Sequence, residues 1–279
     1  MATTTTINPT SNTFIWQGSG GNDNYGDSNF LRSGVRYAHG QDSCYNIVME
    51  FNISAYTDPS AIIQADLTLT ANSTTGTATS KISVHRLGIS FTEADPDGCT
   101  WNDNGDPLIT WNGAEDYKED NVPVQTYTVG SGQSDVTINL IDFIRDAITR
   151  RKPIMRIGLY DDCVGTIGAS AYTAFCSTRH ATSANHPALE ITVADRIYWT
   201  GALGNGNTST SDNWSSDILP SINDFVMFTS GSEDCYTGSG ILCHSLFIGS
   251  EYTGQIGLVD DLMVVASSTY YLNPKACYK

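Results

Sequence analysis

Short stretches in which apolar and polar residues alternate run through the first two thirds of the chain and constrain its fold most. Residues 65–70, 81–87 and 188–193 are three of them. Alternation with a period of two turns one apolar face toward a core and leaves one polar face in water. Many such strands, separated by turns rich in Gly, Asn and Asp, are typical of sandwiches and jelly rolls. The sequence therefore predicts an all-β fold, with an antiparallel jelly-roll sandwich over residues 14–193.

One segment departs from this period. Within residues 138–151, Ile141, Ile144 and Ile148 fall on one face of a helix. Three basic residues at 150–152 follow, and they complement the negative end of a helix dipole. We expect one short helix on the sandwich; a phosphate site at the basic residues is the alternative interpretation.

Two further parts flank the predicted sandwich. Residues 1–13 are rich in Thr, Ser and Asn, so we expect an N-terminal arm that is disordered or docked on a partner. Residues 194–279 combine polar loops with short apolar runs at 245–249, 254–258 and 262–265. Runs at such short spacing predict a C-terminal β module, either a small sandwich or a short solenoid that needs capping or a neighbour.

The charge balance limits the class of partner. Asp and Glu total 30 against 14 Lys and Arg, which gives a net charge of −16. Nucleic acids and anionic membranes attract clustered basic residues, so we expect neither as a partner. The chain has no apolar run of about 20 residues, and its first residues lack the basic start and apolar stretch of a signal peptide. These features predict a soluble acidic protein.

The seven cysteines are scattered and form no Cys-x-x-Cys pair. This spacing gives little support for a structural zinc site or a disulfide framework, so buried reduced thiols are expected. The alternative concerns Cys235 and Cys243, which are close enough in sequence to form a local disulfide in an oxidising environment.

Two loop features suggest ligands. The densest group of carboxylates begins at Glu93, and its turn residues supply the oxygen ligands that Ca²⁺ prefers. The candidate calcium ligands are Asp95, Asp97, Asp103 and Asp106. A solvated acidic loop is the alternative, and we expect no other cofactor.

Aromatic side chains in loops can stack on sugar rings. The candidate carbohydrate-binding residues are Trp101, Trp111 and Tyr117, with Tyr25 and Tyr37 also in or near loops. Packing in the core is the alternative role for each of them. The sequence contains no Gly-x-Ser-x-Gly, phosphate-loop or dinucleotide motif, and we expect no enzymatic activity.

Several motifs in order along the chain resemble a known family. They are Asn24-Tyr25-Gly26-Asp27, the strand-like residues 48–54 and 63–69, Cys99-Thr100-Trp101-Asn102, and residues 186–191. Together they resemble DNRLRE-type domains, jelly rolls of the carbohydrate-binding-module kind that occur in surface proteins and some phage proteins. The resemblance implies the jelly-roll fold over residues 14–193, whereas one jelly roll serves many functions.

The hypothesis that follows is a non-enzymatic structural or accessory virion protein of a tailed phage that decorates or cements the capsid. Its expected partners are other virion proteins, above all the major capsid protein, and further copies of itself. The alternative is a carbohydrate-binding adhesin module on a phage fibre or bacterial surface, which would bind a surface glycan and be extracellular or on the cell surface.

Overall fold

A computed structural model describes most of the chain. The described residues are 2–16, 25–38, 41–75, 79–93, 99–100, 125–130, 135–161, 170–215, 217–231, 233–237, 241–258, 262–264 and 271–272.

Strands dominate these residues. The strands are β1 (Thr3–Ile7), β2 (Ser11–Trp16), β3 (Phe30–Ala38), β4 (Gln41–Asn52), β5 (Ile62–Leu69), β6 (Ala71–Thr75), β7 (Thr79–Arg86), β8 (Gln125–Gly130), β9 (Val136–Asn139), β10 (Ile154–Asp161), β11 (Ala171–Cys176), β12 (Ala188–Val193), β13 (Arg196–Tyr198), β14 (Phe225–Gly231), β15 (Cys235–Thr237), β16 (Ile241–Cys243), β17 (Ser245–Tyr252), β18 (Ile256–Leu258), β19 (Leu262–Val264) and β20 (Tyr271–Leu272). The α-helix is α1 (Ile141–Thr149), and short 3₁₀ turns span Pro59–Ala61, Ser183–Asn185 and Ser211–Asn213.

Two sheets form the layers of a sandwich. The larger has eight strands in the order β6-β11-β3-β4-β10-β7-β8, with β2 also paired to β4. The smaller has the order β1-β12-β5-β9. In the large sheet β4 pairs antiparallel with β2, β3 and β10. The predicted all-β class and antiparallel sandwich are confirmed.

The central strand β4 differs from the predicted alternation, because both of its faces are buried. Ile47, Met49 and Phe51 are fully buried, and so is Val48 on the opposite face. Val48 belongs to a second apolar cluster that also contains Ile15, Cys44, Leu87, Phe91, Cys99 and Tyr160. Part of the segment after β7 thus covers a face that the sequence period alone would leave in water.

Helix α1 confirms the predicted helix, although it begins at Ile141 because residues 138–139 belong to β9. The Asn139 side-chain oxygen accepts the Ile141 N–H at 3.1 Å and so satisfies one of the unpaired donors at the helix start. Phe143, Ile144 and Ile148 are buried. Directly after the helix, Arg150 Nε lies 3.0 Å from Oδ2 of Asp146 in α1.

The segment predicted as a polar arm, residues 1–13, contains strand β1 and the first half of β2. Strand β1 is the terminal strand of the small sheet, next to β12. Strand β2 pairs with β4 from Ser11↔Glu50 to Trp16↔Tyr45. The predicted boundaries of the arm and of the two β modules stay predictions.

The Cα positions divide into two compact units. One comprises Thr5–Pro59 and Gln64–Ile191, here called the sandwich unit. The other comprises Met1–Thr4, Ser60–Ile63 and Thr192–Lys279, here called the solenoid unit.

Strands β13 to β20 of the solenoid unit pair only in parallel in the part of the chain that the structure describes. Partners lie 20 residues apart in Phe225↔Ser245 and 21 apart in Cys235↔Ile256. The spacing widens to 24 in Phe247↔Tyr271 and to 29 in Arg196↔Phe225, so it is not constant. Successive parallel ladders are nevertheless the pattern of a solenoid, so the geometry favours that alternative over a small sandwich.

An aromatic cluster fills the first turns of the solenoid unit. Trp214 is fully buried, with its ring centroid 5.0 Å from that of Trp199 and 6.2 Å from that of Phe228. Buried Asn213 organises the loop before it. Its side chain accepts the Leu203 N–H at 2.9 Å and donates to the Asn207 carbonyl oxygen at 2.9 Å.

Of the five cysteines that the structure describes, four follow the prediction and one does not. Cys99, Cys176, Cys235 and Cys243 are reduced and buried, so the alternative Cys235–Cys243 disulfide is not formed. Burial raises the pKa of the Cys235 thiol to about 12 and that of Cys243 to about 11. The expectation of a reduced thiol is wrong for Cys44, which is disulfide-bonded.

Within the described residues, no helix is both long enough and apolar enough to cross a membrane.

Candidate functional site

The site residues predicted from the sequence lie outside the described residues. This holds for the candidate calcium ligands and for the candidate sugar-binding aromatics, namely Asp95, Asp97, Asp103, Asp106, Trp101, Trp111 and Tyr117. Their roles stay predictions. Of the two other loop aromatics, Tyr37 is exposed, and Tyr25 belongs to the cluster described next.

The structure brings together aromatic and arginine side chains on one face of the large sheet. This arginine–aromatic cluster comprises Phe14, Trp16, Tyr25, Arg32, Arg36, Tyr45 and Tyr172. Its centre is Tyr45 on β4, which is in register both with Trp16 on β2 and with Gly34 on β3. The cluster therefore forms where β2 and β3 meet beside β4.

The rings of the cluster contact one another in a chain. Tyr25 stacks on Phe14 with ring centroids 4.2 Å apart, and Phe14 meets Tyr45 edge-on at 5.6 Å. Tyr45 in turn contacts Tyr172 at 5.1 Å. Phe14 and Tyr45 are buried, whereas Tyr25 and Tyr172 are partly exposed, so the rings extend from the interior to the surface.

Two arginines lie over these rings. The Arg32 guanidinium carbon lies 5.3 Å from the Phe14 ring centroid, and that of Arg36 lies 5.1 Å from the Trp16 centroid. Such distances fall within the range of cation–π attraction. Arg36 also donates a 3.4 Å hydrogen bond to the Tyr45 hydroxyl, and this bond raises the pKa of Arg36.

Neither arginine is paired with a carboxylate among the residues that the structure describes. Both are partly exposed in a chain of net charge −16. Guanidinium N–H groups beside partly exposed aromatic rings can donate hydrogen bonds to a ligand whose ring or apolar surface stacks beside them.

Gly34 allows the rings to approach, because it lies opposite both Tyr45 and Tyr172. A Cβ at this position would collide with the Ala171 carbonyl oxygen and lie 2.7 Å from the Tyr172 Cα. Its φ of +122° also lies in a region that L-residues rarely adopt. Only glycine fits this position without displacing β11.

The sequence alone indicates one part of this cluster, the residues on β3. Arg32, Gly34 and Arg36 alternate along β3 and so share one face. Two arginines on either side of a glycine, all on one strand face, differ from the apolar residues of a core face. The glycine also distinguishes this face from a typical polar surface, because it leaves room for a neighbouring side chain. The partners on β2, β4 and β11 come from distant parts of the chain, and no local pattern connects them.

A second polar group surrounds Glu93, the first residue of the predicted acidic loop. Glu93 Oε2 accepts the Asn12 N–H at 2.9 Å, and Oε1 lies 3.4 Å from Arg179 Nε. Arg179 also lies 3.5 Å from Asp27. Desolvation raises the pKa of Glu93, against the opposing effects of these hydrogen bonds. Since Asn12 lies in β2, the Glu93 carboxylate satisfies a strand N–H.

The described His, Cys, Asp and Glu residues contain no group of three that could hold a metal ion. His180 and His186 are partly buried, and their rings bond to nearby backbone. His186 Nε2 lies 2.8 Å from the His180 carbonyl oxygen.

Comparison with known proteins gives no assignment. No protein-family model matches the chain, and no curated protein is similar enough to count as a relative. The resemblance to DNRLRE-type domains stays a prediction.

Proposed function

We propose that the chain is a non-enzymatic structural or accessory protein of a tailed-phage particle that decorates or cements the capsid. The observation that supports this most is an exposed apolar loop in the solenoid unit. Ile218 is 40% exposed, Leu219 45% and Ile222 40%, within five consecutive residues. Neighbouring apolar side chains left in water are a common mark of a protein–protein interface.

Two carboxylates of the sandwich unit have structural partners. Glu50 lies 2.6 Å from Arg156 across β4 and β10, and Glu93 caps a strand donor. These carboxylates stabilise sheets. The exposed residues Ile218, Leu219 and Ile222 form the proposed partner surface, and the major capsid protein is the proposed partner.

Immunogold electron microscopy of particles from the source material tests this proposal, with an antibody raised against the chain. We expect gold over the particle heads. Gold confined to tail tips or cell envelopes would overturn capsid decoration.

A carbohydrate-binding adhesin module is the second candidate, and the arginine–aromatic cluster favours it. Sugars are commonly bound by an aromatic face together with donors that reach their hydroxyl groups. If this candidate is right, a glycan microarray shows binding that Arg36→Ala and Tyr172→Ala abolish. Tyr37→Ala is the matched control, since this tyrosine is 40% exposed and lies outside the cluster. Equal binding by all variants, or no binding by the unmodified chain, would contradict a sugar site at the cluster.

A further inference from the structure

Among the strands that the structure describes, β1 has an open edge. It is the terminal strand of the small sheet, where one side pairs with β12. Its sequence is Thr-Thr-Thr-Thr-Ile, and its first four residues are exposed. Edge strands present a row of N–H and C=O groups that can pair with a further strand.

In two other strands, a carboxylate from another segment of the chain accepts a strand N–H. Glu93 accepts the Asn12 N–H of β2, and Asp135 accepts the Ala71 N–H at the start of β6 at 2.9 Å. Strand β6 is further irregular, since its register with β11 shifts between Ala174 and Phe175. Natural proteins block edges with charges and bulges of this kind. Among the described residues, no carboxylate accepts an N–H of β1, and the strand itself contains no charge and no proline. Within the described part of the chain, β1 therefore lacks the protection that β2 and β6 have.

The composition of β1 suits a copy of itself. In an antiparallel pair about a twofold axis, threonine lies opposite threonine, and cross-strand Thr–Thr pairs stabilise sheets. The chain carries a net charge of −16, so most of its surfaces repel those of a second copy. An uncharged strand avoids that repulsion where the two copies meet.

We propose that β1 pairs antiparallel with β1 of a second copy of this chain and joins two small sheets into one. The proposed function gains a contact between two copies of the chain, which uses other residues than the apolar loop. The pairing does not depend on where the protein resides, so immunogold labelling and the experiment below can fail independently.

Sedimentation equilibrium of the full chain over a range of concentrations tests the pairing. We expect a monomer–dimer equilibrium for the unmodified chain. The double variant Thr3→Glu/Thr5→Glu brings four like charges onto the two paired strands and should weaken dimerisation at least about tenfold. The matched control is Thr74→Glu on β6, another exposed edge threonine, which should leave dimerisation unchanged.

Mixing separates lost pairing from lost folding. The variant Thr3→Lys/Thr5→Lys should also be monomeric alone, whereas an equimolar mixture of the Lys and Glu variants should form a heterodimer. A chain that is monomeric at all concentrations, a Glu variant that dimerises as before, or a mixture that stays monomeric would each overturn the proposal.

Discussion

The large sheet of the sandwich unit pairs strands antiparallel, whereas the strands of the solenoid unit pair in parallel. Both units bury polar side chains that bond to backbone, as Asn12 does with the Thr178 N–H. In the sandwich unit, Glu93 accepts a strand N–H from outside the sheet and keeps some contact with solvent. In the solenoid unit, the polar residues Asn213 and Asp224 are almost completely buried and bond to loop backbone. Antiparallel strands can expose their polar face, whereas the loops that close parallel rungs bring backbone polar groups inside, where each needs a partner.

The largest effect is expected from Trp214→Ala, which should destabilise the solenoid unit by about 3–5 kcal/mol because it leaves a large cavity. The change also removes the hydrogen bond that Trp214 Nε1 donates to the Thr208 carbonyl oxygen at 3.0 Å. Hydrogen exchange should accelerate in β14 and β17, with β4 and β10 protected. Trp214→Phe is the conservative control and should cost less. Equal acceleration in both units would contradict the comparison.

Gly34→Ala tests the sandwich unit and should cost about 2–4 kcal/mol, from backbone strain together with the collision against β11. Gly204→Ala is the control in the other unit. Gly204 also has a positive φ, of +64°, but a Cβ there meets nothing within 4 Å. Urea denaturation should therefore show a clearly larger loss for Gly34→Ala. Equal losses would mean that the close packing at Gly34 contributes nothing.

Asn213→Ala should cost about 1–3 kcal/mol, because it leaves the Leu203 N–H without its partner inside the solenoid unit. Exposed Asn223 is the control, and Asn223→Ala should change the unfolding free energy little. If both variants unfold at the same urea concentration, the buried amide does not organise the loop.

The smallest effect concerns pH. Because the folded state raises the pKa of Glu93, its contribution to stability is full below the ordinary value of 4.5 and is lost as pH rises through the folded pKa. Glu93→Gln resembles the protonated form and should not show this loss. Urea unfolding at a series of pH values from 4 to 8 measures the difference. Parallel pH profiles for the two proteins would show that Glu93 is not the titrating group.

The two units also differ in how far the sequence predicts them. Alternation correctly indicated the antiparallel strands, and the spacing of Ile144 and Ile148 indicated α1. The burial of both faces of β4 could not be predicted, since the second face is covered by residues such as Leu87 and Phe91 from a later segment. Parallel rungs were one of two alternatives, because short apolar runs do not specify the direction of pairing.

The candidate site was harder to predict than the fold. Aromatic residues in loops were the natural candidates for binding, yet the described cluster is centred on Tyr45, a buried residue in the middle of β4. Its environment depends on Trp16 and Tyr172, which lie far away in sequence and meet only through strand register. Local sequence patterns cannot predict that register. They indicate only that Arg32 and Arg36 lie on the same face of β3.

Cosedimentation with particle heads that lack this protein tests the central claim most directly, namely that the chain binds the capsid through an apolar surface. The purified full chain should cosediment with the heads and saturate. The triple variant Ile218→Ser/Leu219→Ser/Ile222→Ser should lose this binding, whereas Leu203→Ser, which alters another exposed apolar residue of the solenoid unit, should retain it. Failure of the unmodified chain to cosediment, or equal binding by the triple variant, would contradict the account.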